Sequence, residues 1–179
     1  MKKLFVSLLG IMISFAAVSQ RYICKNGETS FFSETPMENI AAVNKGVTAV
    51  LDVPSQGIAV KMQMAEFKFP NKLMQEHFNE NYMESEKYPT GVFSGKIVEA
   101  IDYTKDGVYD ISAKGKFVIH GVSQERTLKG KLTIKGGAIT LVSNFDVKLA
   151  DHKIEIPTIV MAKIAESIAI KNTFTFSKM

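Results

Sequence analysis

FKFPNKLMQEHFNENYMESEKYPTGVFSG, residues 67–95, is the one stretch after the N-terminus in which hydrophobic spacing turns helical and then returns to alternation. Asn71 follows Pro70, and its short side chain suits an N-cap, accepting a backbone N–H from the first turn. Leu73, Met74, His77, Phe78 and Tyr82 then recur three to five residues apart as an apolar stripe. Gln75, Glu76, Asn79, Glu80 and Asn81 fall on the opposite face, toward solvent. The spacing predicts one short helix near residues 70–83. Pro89 holds its predecessor extended and ends the segment, so Tyr88 presents an apolar ring with a polar tip.

On both sides of this stretch the pattern has period two. Tyr109, Ile111, Ala113, Gly115, Phe117 and Ile119 alternate with Asp110, Ser112, Lys114 and Lys116. Leu128, Gly130, Leu132 and Ile134 repeat the alternation, as do Phe145, Val147 and Leu149, and then Ile168, Ile170, Phe174 and Phe176. One covered and one wet face fit an antiparallel meander. Turn residues that tolerate positive φ occur at 25–28 (KNGE), 44–46 (NKG), 54–57 (PSQG), 105–107 (KDG), 129–130 (KG) and 135–137 (KGG). Many strands, short loops and one helix predict an all-β sheet closed on itself, because closure removes exposed edges. The small inward residues Ala113, Gly115 and Gly130 leave interior space or mark bulges and close strand packing, and both readings stand at this point.

A helix docked on such a barrel lays its apolar stripe over one side or end. Phe67, Phe69, Leu73 and Phe78 then either plug the barrel as core or form one wall of an apolar pocket, as in barrels that carry a lipid. By alternation Phe117, Ile119, Leu132 and Phe145 form the opposing wall. With Tyr88, these nine are the candidate ligand-binding residues.

Lys2 and Lys3, the apolar run 4–18 and the small residues of Ala17-Val18-Ser19 form a secretory signal with cleavage near Gln20, so residues 20–179 are expected to be one exported domain without a stable membrane span. A lipid anchor at Cys24 is disfavoured because Arg21-Tyr22-Ile23 lacks the small residues that lipidation needs. Losing Lys2 and Lys3 from 22 basic residues against 18 acidic leaves a balance of +2, spread along strands and turns, which excludes a nucleic-acid footprint. Cys24 is the single cysteine and cannot form an internal disulfide, so it reads as a small buried or half-buried hydrophobe. His77, His120 and His152 are far apart with no ligand spacing, so no metal and no cofactor are expected. His120, before Gly121 at a turn, reads as capping or solvated. Ser123 lacks the glycines of a nucleophile elbow and Cys24 has no local base, so no enzyme activity is expected.

Three segments together resemble the YceI-like lipid/polyisoprenoid-binding family: NKLMQEHF at 71–78, EKYPTGVF at 86–93 and GKFVIHGVSQERTL at 115–128. They match that family's helix, its Tyr-Pro segment and its strand-turn-strand, in the same order and at similar spacing. The likeness runs from about Ile58 to Phe176 and includes FDVKLADH at 145–152. Residues 20–50 depart from it, lacking the usual opening strand, and the tight turn at 135–137 replaces a longer excursion. The resemblance implies a lipocalin-like, extended antiparallel β-barrel, periplasmic or secreted, holding a long isoprenoid or other apolar lipid. The alternative is an exported interaction or stress-related barrel with a filled core and no ligand.

Overall fold

A computed structural model describes residues 20–158 and 162–179. The secretory signal expected at 1–19 lies outside the described residues. Among the described residues, eight strands form a closed antiparallel barrel in sequence order. They are β1 (Arg21–Glu34), β2 (Asn39–Asp52), β3 (Gly57–Gln63), β4 (Thr90–Ile97), β5 (Gly107–Ile119), β6 (Val122–Lys135), β7 (Ala138–Lys148) and β8 (Ser167–Lys178). Every strand pairs with its sequence neighbour, and β1 closes on β8 from Tyr22 opposite Lys178 to Phe32 opposite Ala169. The single helix expected near 70–83 is α1 (Lys72–His77), continued by one π-helical turn over Phe78–Tyr82.

The turns expected at 25–28, 44–46 and 129–130 are instead strand interior. β1 and β2 each run for 14 residues, and their pairing shifts register on both sides of Gly27. A bulge there explains the glycine better than a turn. A Cβ at Gly27 would stand 2.5 Å from the Phe174 ring, so the missing side chain makes room for that phenylalanine. The opening strand, expected to be missing from residues 20–50, is therefore present as β1. Gly115 lies opposite Gly95, and a Cβ on Gly95 would stand 2.5 Å from the Lys114 carbonyl oxygen, so this pair marks close strand packing. Ala113, by contrast, faces the open interior, whereas a Cβ on Gly130 would stand 3.0 Å from the Val142 carbonyl oxygen and from the Leu141 side chain, which again marks close packing.

The two ends of the barrel differ. The end at Arg21, Asp52, Gly57, Ile97 and Lys178 is packed solid with fully or nearly fully buried Leu51, Ile97, Leu132, Ile134 and Ile139, together with Phe176 and the free thiol of Cys24. Tyr103, in the β4–β5 connection, is buried with its hydroxyl lacking a partner among the described residues, and burial pushes that hydroxyl's pKa up to about 12. Tyr103→Phe removes an unsatisfied polar atom at little change of shape. It is expected to raise stability by about 1 kcal/mol, readable as a higher urea midpoint at unchanged slope. A lower midpoint would show that the hydroxyl makes a bond in solution.

The opposite end carries the long β3–β4 and β7–β8 connections. The first is tied down at both its ends. Met64 N–H donates to the Pro89 carbonyl at 2.8 Å, and Val43 and Lys68 exchange backbone bonds of 3.1 and 2.9 Å. That bridge holds Phe67 and Phe69 over the barrel end.

Candidate functional site

α1 starts as the sequence predicts: the Asn71 side-chain oxygen accepts from Leu73 N–H at 2.9 Å and Met74 N–H at 3.4 Å. Its end differs. The widened turn closes by Met83 N–H donating to the Phe78 carbonyl, and Glu84 at φ 43° stops the helix well before Pro89. No residue of α1 is buried, and Leu73 is 57 % exposed. Gln75 and Asn79, expected in water, are half-buried and bonded: Gln75 accepts from Phe69 N–H at 3.4 Å and Asn79 Nδ2 donates to the Gln75 carbonyl at 2.8 Å. The helix therefore lies across the mouth without being seated in a core.

Beneath it is a cavity of about 460 Å³, within the roughly 300–1,000 Å³ of small-molecule sites. At its mouth Phe31, Phe67, Phe69 and Phe78 form one ring cluster. The centroid separations are 5.4 Å for Phe31–Phe67, 5.6 Å for Phe31–Phe69, 5.5 Å for Phe31–Phe78, 5.6 Å for Phe67–Phe78 and 5.1 Å for Phe69–Phe78. Phe117 and Phe145 meet edge-on at 5.8 Å on the far wall, with Ile119 beside them. Met62, Met64, Met74 and Met83 fill the gaps between rings, a use that suits their flexible thioethers. The charged lining residues at the mouth include Glu38 and Lys163, 3.9 Å apart, and His77 stands there too. Deeper down, the inward wall carries Thr29, Ser143 and Asn172.

Of the nine candidate residues, Phe67, Phe69, Leu73, Phe78, Phe117, Ile119 and Phe145 line this cavity. Leu132 does not. It is fully buried in the packed half, opposite the lining residue Leu141 on β7 but off the cavity itself, because alternation fixes which face a residue takes and not its depth. Tyr88 does not either. Its ring packs against His120 at 4.6 Å and covers Gly121, outside the cavity wall. Phe31, the hub of the mouth cluster, was hidden by the glycine-interrupted reading of residues 20–50.

His120 is neither a cap nor solvated. Its Nε2 lies 2.9 Å from the Glu84 carboxylate and its Nδ1 3.0 Å from the His152 carbonyl, which ties the end of the helical segment to the β7–β8 connection. His152, which the sequence shows only as a histidine without ligand spacing, is completely buried against the Phe117 ring at 5.3 Å. Its Nδ1 sits 3.3 Å from the Val122 carbonyl and its Nε2 has no partner among the described residues. Burial holds its pKa below the ordinary histidine range. The unfolded chain then binds the proton more readily, at its ordinary pKa of about 6.5, so stability falls as pH drops from there toward the folded value. Wild type is expected to lose stability between pH 7 and pH 5 more steeply than His152→Leu, measured as urea midpoints at each pH. Parallel curves would overturn this.

Among the described residues no three His, Cys, Asp or Glu side chains gather as a metal-holding group, and no helix is long and apolar enough to cross a membrane. The arrangement offers apolar surface, a few neutral hydrogen-bonding groups deep in the wall and the Glu38–Lys163 pair at the mouth.

The YceI-like domain family matches residues 25–176. No curated protein matches the chain. Among solved structures, a polyisoprenoid binding domain from Saccharophagus degradans implicated in plant cell wall breakdown is similar at TM-score 0.73 and 12 % identity, covering 88 % of this chain and 98 % of its own. BcnA of Burkholderia cenocepacia is similar at TM-score 0.69 and 15 % identity, covering 84 % and 96 %. A YCEI protein of Campylobacter jejuni is similar at TM-score 0.58 and 20 % identity, covering 100 % and 99 %. At these identities the likeness is one of fold.

Proposed function

Since the chain belongs to the YceI-like domain family, we propose that it is an exported carrier that holds one long apolar chain, a polyisoprenoid, quinone or acyl lipid, inside its barrel. The observation that carries this reading is the cavity itself, walled by aromatic and methionine side chains beneath a helix that is not packed into a core. A buried carbon of the ligand contributes about 0.8 kcal/mol before ordering costs, so a chain of ten carbons gains about 8 kcal/mol with no polar contact. The fold neighbour described as a polyisoprenoid binding domain supports the same ligand class. Residues 1–19 are removed on export and 20–179 act as the single domain. The protein performs no reaction in this reading.

Protein purified from its own host is expected to yield, on organic extraction and mass spectrometry, one class of long-chain lipid near equimolar with protein, and to lack Lys2 at its N-terminus. A lipid-free extract together with no thermal shift from any long-chain isoprenoid or acyl lipid would overturn the carrier in favour of a filled, ligand-free barrel. Intact Lys2 would overturn export alone.

A further inference from the structure

One band of the cavity wall breaks the apolar rule. Thr29 on β1 lies opposite Asn172 on β8, and Asn172 lies opposite Ser143 on β7, so the three form a continuous cross-strand row. All three line the cavity, with Thr29 2 % and Asn172 6 % exposed. Two residues toward the packed end, Phe174 and Leu141 make the floor; two residues toward the mouth, Phe31 and Phe145 resume the apolar wall. The polar row therefore sits at the deep end.

The Thr29 hydroxyl donates to Asn172 Oδ1 at 2.7 Å, and Asn172 Nδ2 donates to Ser143 Oγ at 3.1 Å. An amide nitrogen carries two hydrogens and a hydroxyl one. The second Nδ2 hydrogen and the Ser143 hydroxyl hydrogen thus have no acceptor among the described residues. They leave from atoms 3.1 Å apart, close enough for one oxygen with two lone pairs to accept both. A spare donor hydrogen facing an apolar cavity is costly, and a valine or leucine would serve a purely apolar wall better at these positions.

We infer that the Thr29–Asn172–Ser143 row is a recognition site for a neutral oxygen at the end of the bound chain, a carbonyl, amide or hydroxyl group that enters first and accepts from Asn172 Nδ2 and Ser143 Oγ. This rests on the carrier reading above. The two lysines along the cavity are elsewhere: Lys129 is exposed on the outer face of β6, and Lys163 stands at the mouth beside Glu38. A phosphate or carboxylate at the row would be an unpaired buried charge, so the site selects against anionic ends.

The test is titration of the delipidated protein with isoprenoid chains of equal length ending in a methyl ketone, a methyl group or a phosphate. Ser143→Ala and Asn172→Leu are expected to lower the ratio of ketone to methyl affinity about tenfold. On wild type, which needs no variant to fold, the ketone-ended chain is expected to shift the Asn172 side-chain amide resonances where the methyl-ended chain does not. An unchanged affinity ratio, an unmoved Asn172 amide, or a phosphate-ended chain that binds as tightly as the ketone would overturn the inference and leave the carrier reading standing. No binding by any of the three chains would overturn both.

Discussion

Leu132→Ala is expected to lower stability by about 2–5 kcal/mol and to leave lipid affinity nearly unchanged. Leu132 is fully buried, pairs across the sheet with Tyr109 and Leu141, and stands off the cavity in the packed half. Removing its branched end leaves a void walled by strands that cannot collapse into it. Phe78→Ala is expected to behave the other way. Phe78 is half-buried at the mouth, and its truncation opens into existing space, so it loses three ring contacts of about 0.5–1.5 kcal/mol each and no enclosed packing. Affinity for a long-chain isoprenoid falls because part of the wall is gone. Urea melts with and without lipid read both quantities. Equal stability losses with equal affinity losses would mean that the barrel is not divided into a packed half and a hollow half.

That division is what the sequence conveys least. Alternation marks Phe117, Ile119, Leu132 and Phe145 alike as inward, because period two encodes only the face of a strand. Depth along the barrel depends on register and on how far neighbouring strands are staggered, neither of which is local. Leu132 and Phe145 therefore look equivalent in sequence and end up in different halves. The same blindness hid the first hairpin. Gly27 and Gly46 carry the composition of turns, yet Gly27 is a bulge that yields space to Phe174 some 150 residues away. No window of sequence around residue 27 contains that partner.

Local signals fared better where the cause is local. The Asn71 cap needs only the two amides that follow it, and both bonds form. The strand pattern of β5 to β8 needs only its own alternation, and the buried residues follow it from Ile111 to Phe176. Tyr88 shows the boundary between the two cases. Its neighbour Pro89 constrains its backbone as argued, but where the ring goes is decided by His120 and Gly121 on the β5–β6 turn. The polar row is invisible for a related reason: Thr29, Ser143 and Asn172 are unremarkable one at a time, and only the β7–β8 pairing together with closure of β1 on β8 makes them neighbours.

Ala113→Phe is expected to cut affinity for a long chain by more than tenfold while leaving stability within about 1 kcal/mol of wild type. Ala113 faces the cavity from β5, between Ile97 on β4 and Leu128 on β6. The new ring brings about six carbons into space the ligand needs. Displacing even two or three ligand carbons at about 0.8 kcal/mol each removes roughly 2 kcal/mol, which exceeds a tenfold loss. The ring itself gains buried apolar surface, so the protein has no reason to weaken. In a filled barrel the same substitution overpacks the core and costs about 1–3 kcal/mol, with no lipid affinity to lose. Chain length adds a second axis. Against wild type, affinity rises with each added isoprene unit until the cavity is full, whereas against Ala113→Phe the rise stops at a shorter chain. Short and long chains binding equally to wild type would show that no part of the interior is used, and a destabilised Ala113→Phe would show why.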